Sequence, residues 1–222
     1  MGLGTLARVI DVEYSFDPFC PWTWLTSRWL VDAAAQRDVR VAWRPLSLLV
    51  LSGGQMPEEY LGGVTASHRV LRVVAALYAD GRHDDAGRYY AAIGRLTHDA
   101  GERLTDALAD RALTEAGLDD LAPVLDDTTW DAAVDTATKE AVDLAGPDVG
   151  SPVMSWSATV GSGPDAPTQR VAFHGPIVSP GPRGEDAARL LDAVLLAGAT
   201  PGFFELKRGR DAPPSLPSPP LG

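Results

Sequence analysis

The chain begins as strand, helix, strand, and the join between the first two is one tight turn. Ala7-Arg8-Val9-Ile10-Asp11-Val12-Glu13-Tyr14-Ser15-Phe16 alternates apolar and polar residues and is rich in β-formers, which predicts a first strand. Trp24, Leu25, Trp29, Leu30 and Ala33 recur at spacings near three and four, predicting a helix over Trp22–Ala35 with Pro21 just inside its start. Val39–Leu46 alternates again, with Pro45 near its exit, where a ladder donor is no longer needed. A β-α-β unit packs its strands in parallel through a right-handed crossover. It places the strand-to-helix turn at the carboxyl edge of the sheet, where open sheets bind ligands.

That turn holds the only cysteine of the 222 residues, in Phe16-Asp17-Pro18-Phe19-Cys20-Pro21-Trp22-Thr23-Trp24. A single cysteine is most often a small buried hydrophobe. The first N–H groups of a helix, however, lack intrahelical partners and carry partial positive charge, so a thiol set there is more easily held as thiolate. Trp22, fixed beside Pro21, offers a face for an aromatic substrate or cofactor ring, whereas Trp24 and Trp29 suit core packing. One cysteine cannot form an internal disulfide.

From about Thr65 to Leu144 the pattern becomes helix after helix, marked by Val70, Val73, Val74 and Leu77, by Tyr89, Tyr90, Ile93 and Leu96, by Leu104, Leu108, Ala112 and Leu113, and by Trp130–Val142. Strand character returns at Pro152–Ser157 and Gln169–His174, and the Gly161–Pro167 stretch between them predicts an antiparallel hairpin. Gly184–Leu196 is an amphipathic helix, and Phe203–Arg208 is expected to extend that helical cap after the break at Pro201. The tail from Asp211, mostly Pro and Ser, is expected to be disordered.

A net charge of −11 argues against a nucleic-acid or anionic-membrane surface, leaving small molecules or proteins as partners. No run of about 18 apolar residues is present to span a bilayer. With no export signal at the start, and one cysteine, the expected setting is the reduced cytoplasm. His83, His98 and His174 have no cysteine or paired histidine at ligand spacing, so no metal is expected. Gly161-Ser162-Gly163 lacks the last glycine and the helix of a nucleotide loop.

The stretch Tyr14–Trp29, the ending Gly175-Pro176-Ile177-Val178-Ser179-Pro180 with Pro182-Arg183-Gly184-Glu185, and Gly198–Arg208 resemble the actinobacterial branch of the DsbA family, which includes mycothiol-dependent reductases. The resemblance implies an α/β thioredoxin-like fold, β-α-β then β-β-α, with an all-helical insertion. Its expected limits are residues 1–62 and 148–210 for the thioredoxin-like domain, 63–147 for the insertion and 211–222 for the tail. It also implies that Cys20 is the attacking thiol, facing a cis Pro152 within Val149-Gly150-Ser151-Pro152-Val153. Pro21, Trp22, Ser151 and Pro152 would then line the thiol-binding edge. Thr23 stands where the family's dithiol pattern has a resolving cysteine, so an external thiol must release any adduct. By the resemblance that thiol is mycothiol rather than glutathione, with a mycoredoxin or thioredoxin as a further partner. The Thr23 hydroxyl could bond the thiolate or serve its own helix.

Tyr60, placed in the Gly53–Tyr60 loop after the second strand, belongs to a segment that closes over the site in relatives. His68, at the start of a helix, either faces the thiol as a proton carrier or lies at the solvent. The sequence leaves three functional classes: a monothiol oxidoreductase acting on a disulfide or a small aromatic or electrophilic substrate; conjugation or cis-trans isomerisation as in kappa-class glutathione transferases and chromene-carboxylate isomerases; and a non-catalytic accessory protein. Monomer and homodimer both remain open.

Overall fold

The computed structural model describes residues 9–218. The first strand, β1, runs Ile10–Phe16, followed by α1 (Pro21–Ala34) and β2 (Val39–Pro45). The expected strand start at Ala7 and Arg8 lies outside the described residues. A one-turn α2 (Leu48–Leu51) leads to α3 (Glu58–Ala79), α4 (His83–Gly94), α5 (Asp106–Ala116) and α6 (Asp131–Ala145). A π turn at Arg95–Asp99 and 3-10 turns at Asp119–Asp126 and Thr128–Trp130 connect them. β3 (Val153–Thr159), β4 (Thr168–His174) and α7 (Gly184–Gly198) complete the order. This is the thioredoxin-like arrangement with a helical insertion.

The sheet order is β2-β1-β3-β4, with β1 and β2 parallel and the other two pairings antiparallel. β1 is therefore central. On one face Val12 opposes Trp156 and Tyr14 opposes Met154, all buried. Alternate side chains of a strand share a face, so Tyr14 and Phe16 stand together and meet Trp43 and Tyr90, with Phe16 and Tyr90 ring centroids 4.0 Å apart. Trp29 on α1 donates its Nε1 proton to the Ala187 carbonyl at 3.1 Å, tying α1 to α7. On the other face Glu13 meets Arg44, Arg170 and the Tyr78 hydroxyl.

Two helix glycines let the insertion close on the strand-to-helix turn. A Cβ on Gly94 would lie 2.1 Å from the Trp24 ring, and one on Gly63 would lie 2.2 Å from the Phe19 ring. Helix backbone reaches each ring only because glycine has no side chain.

Past α7 the chain departs from the expected helical cap over Phe203–Arg208. Gly202, at φ +73°, turns it out of helix, and Phe203 folds back edge-on to Phe173. Phe204 and Leu206 are 86% and 89% exposed, so a helix there would have no face to bury. Where composition predicts a disordered tail, residues 211–218 carry no helix or strand yet are hydrogen-bonded to the body. The Ser215 amide donates to Ser179 Oγ at 2.8 Å, and Ser218 donates to Asp99 through its amide and its hydroxyl. The tail from Pro219 lies outside the described residues.

Candidate active site

Cys20 ends the turn that leaves β1. Its amide donates to the Asp17 carbonyl at 3.1 Å, its carbonyl accepts the Trp24 amide at 3.1 Å, and Pro21 takes the first position of α1, where a missing N–H costs nothing. The side chain is half-buried. Across from it the Ser151–Pro152 peptide is cis, and the Cys20 thiol reaches the Ser151 carbonyl at 3.7 Å. Pro152 and Ser151 are buried, and Pro21 and Trp22 half-buried.

Thr23 is fully buried, and its hydroxyl donates to Ser151 Oγ at 2.8 Å. The same Ser151 oxygen accepts the Asp17 amide at 2.8 Å. Burial pushes the Cys20 thiol up. The Thr23 hydroxyl and the amides of Thr23 and Trp22 pull it down, and charge on Asp17 adds to the rise. The helix-start donors thus face the sulfur as the sequence predicts, but in the resting protein desolvation outweighs them, and the thiol form is favoured.

Asp17, which sequence reading passed over, lies beneath this turn with no exposed surface. Its Oδ1 accepts the Phe19 amide at 2.8 Å and the Ser67 hydroxyl, and its Oδ2 accepts the Leu48 amide at 2.7 Å. Burial raises its proton affinity, against these bonds. The signal was an acid in an otherwise apolar run directly before Pro18. His98 was missed as a neighbour too: its Nε2 pairs with the Pro18 carbonyl at 2.8 Å, so that nitrogen carries the proton, and its ring stacks on Trp24.

Two expected site residues have settings other than the loop and the helix start expected for them. Tyr60 is in the first turn of α3 rather than in a loop, because Pro57 starts the helix early; it is 45% exposed and its ring sits edge-on to Phe19, 6.0 Å between centroids. His68 lies within α3, neither at a helix start nor at the surface. Its Nδ1 meets Ser47 Oγ at 3.0 Å and its Nε2 meets Asp131 Oδ1 at 3.1 Å, so both ring nitrogens are engaged away from Cys20.

A thioredoxin-like sheet that sets a lone thiol at the start of its first helix, against a cis-proline edge, defines a thiol-dependent oxidoreductase of the DsbA kind. Residues 19–208 match the Rv2466c-like family, described as mycothiol-dependent nitroreductase Rv2466c, and the chain belongs to that family. A Mycobacterium tuberculosis relative, the uncharacterized protein Rv2286c, is 30% identical over 202 residues, which are 89% of this chain and 81% of the relative. Among solved structures, the cytosolic disulfide reductase DsbM of Pseudomonas aeruginosa is similar in fold at 18% identity and TM-score 0.52, over 84% of this chain and 98% of that one. DsbA of Xylella fastidiosa is similar at 18% identity and TM-score 0.51, over 87% and 88%. No helix among the described residues is long and apolar enough to cross a membrane.

Proposed function

We propose that the protein is a monothiol oxidoreductase in which Cys20 exchanges with mycothiol and so reduces a disulfide or an electrophilic small molecule. The observation that carries this reading is the pairing of a half-exposed Cys20 with a fully buried Thr23 in the place of a resolving thiol. Pro21, Trp22, Ser151 and Pro152 would hold the small thiol. Its fit rests on the Ser151 carbonyl beside the sulfur, an acceptor for an amide of the incoming thiol.

For a disulfide substrate the sulfur chemistry balances alone. Cys20 releases its proton to solvent and attacks one sulfur; a Cys20 mixed disulfide forms as the substrate disulfide breaks, and the departing thiolate takes up a proton. Mycothiol thiolate attacks the substrate sulfur of the adduct, freeing Cys20 and leaving the second substrate sulfur bonded to mycothiol until the next exchange releases it. The resulting mycothiol-substrate disulfide is reduced by a second mycothiol, so two mycothiols become one disulfide. The same two electrons and two protons would reduce an electrophilic small molecule.

Intact-mass spectrometry after incubation with mycothiol disulfide tests the reading. The expected result is a single mycothiol adduct, absent from Cys20→Ser and removed by free mycothiol. An unmodified protein would overturn it, and net consumption of mycothiol into a thioether product would replace it with conjugation.

A further inference from the structure

The chain is strongly acidic, and its cations are mostly spoken for: Arg37, Arg40, Arg44, Arg69, Arg72, Arg82, Arg95 and Arg111 each face a carboxylate. Lys207, Arg208 and Arg210 depart from this pattern, with no ion-pair partner among the described residues. They sit together on the strap that follows α7.

That strap crosses the first turn of α1, which follows directly on Cys20. The Arg210 guanidinium lies over the Trp22 ring, 4.9 Å from its centroid. At the end of β4, burial lowers the proton affinity of His174, charge on Arg210 and Lys207 adds to that, and Glu205 of the same strap opposes it. Arg210 is therefore held beside Trp22, two residues past Cys20 in the first turn of α1. Two pins hold the strap down past Arg210: Ser215 bonds Ser179, and Ser218 bonds Asp99, the carboxylate that also accepts the Trp24 indole proton at 3.0 Å.

A guanidinium laid on an indole keeps its N–H groups at the ring's edge free to donate, and it attracts anions without first breaking an ion pair. We infer that Arg210 is a specificity-determining residue of the Cys20 reaction, and that the partner it selects carries an anionic group, such as a carboxylate, close to its reacting atom. This rests on the proposed reading of Cys20 as the reacting thiol, and it adds a substrate charge that the reading leaves open.

The test compares Cys20 alkylation by iodoacetate and iodoacetamide, which form the same carbon-sulfur bond with loss of iodide and differ in charge. Rates are taken by intact mass for the full chain, Arg210→Gln and Arg210→Glu, with Cys20→Ser as the blank. The expected ratio of iodoacetate to iodoacetamide rates falls at least about threefold in Arg210→Gln and further in Arg210→Glu, and the differences collapse near 1 M salt, where charges are screened beyond about 3 Å. Arg210 is exposed, so these variants leave the fold intact. Equal ratios in all three proteins would overturn the inference and leave the thiol reading standing. If neither reagent labels Cys20, the thiol reading falls and takes the inference with it.

Discussion

The Thr23 hydroxyl meets the Ser151 hydroxyl at 2.8 Å, joining the first turn of α1 to the residue before Pro152. In a dithiol relative this position would hold the resolving sulfur. Thr23→Cys is expected to restore it. The variant should oxidise with loss of two hydrogens, resist alkylation until reduced, and shed a mycothiol adduct without added thiol. The lost hydroxyl pair costs about 1 kcal/mol of stability. Two freely alkylated thiols after oxidation would show that positions 20 and 23 do not close.

Asp17→Asn places an amide where Oδ1 and Oδ2 accept three donors, so one donor faces an N–H₂ group. A loss of about 2 kcal/mol is expected in urea unfolding. Because burial raises the Asp17 proton affinity in the folded state, the folded protein binds the proton more readily than the unfolded chain. Stability from this group is complete below the unfolded value near 4 and declines as pH rises through the folded one. The deficit of Asp17→Asn should therefore be larger at pH 4 than at pH 7; a deficit that grows with pH contradicts the assignment.

His98 behaves with the opposite slope. Burial lowers its proton affinity, against the Pro18 carbonyl and Asp99. Its contribution is present above the unfolded value of about 6.5 and lost as pH falls below it. His98→Gln keeps a donor for Pro18 and should remove this pH dependence. His98→Leu should cost about 1 kcal/mol more at pH 8. Denaturant midpoints of the three proteins from pH 5 to 8 check both statements.

Gly94→Ala forces a Cβ to within 2.1 Å of the Trp24 ring. The ring or the helix must move, and a cost of roughly 1–3 kcal/mol is expected despite the gain in helix propensity. Shifted tryptophan fluorescence should accompany it. An unchanged midpoint would mean that α4 gives way freely.

The β-α-β start and the later hairpin were legible because each is a local pattern: alternation in Ile10–Phe16, a three-and-four spacing in α1, a glycine-rich turn between β3 and β4. Cys20 stood out by its place at one such junction. What stayed hidden depends on partners far along the chain. His68 looks like a helix-start surface residue until Ser47 and Asp131 are brought to its two nitrogens. Asp17 finds its partners in Leu48 and Ser67. Phe203–Arg208 has helical composition, but nothing in it reveals that Gly202 turns the chain away and Phe173 takes up Phe203.

The pairing of Val12 with Trp156 fixes how the chain must be made. β2 follows β1 quickly, but the other edge of β1 has no partner until on the order of 140 more residues have been synthesised, roughly ten seconds at ribosomal rates of about 5–20 residues per second. During that time a central strand of the finished sheet is an edge. Asp11 and Glu13, alternating with its apolar residues, supply the charge that discourages pairing with a neighbouring nascent chain. Replacing Asp11, whose side chain is exposed, would endanger the yield of soluble protein before it altered the stability of the molecule once folded.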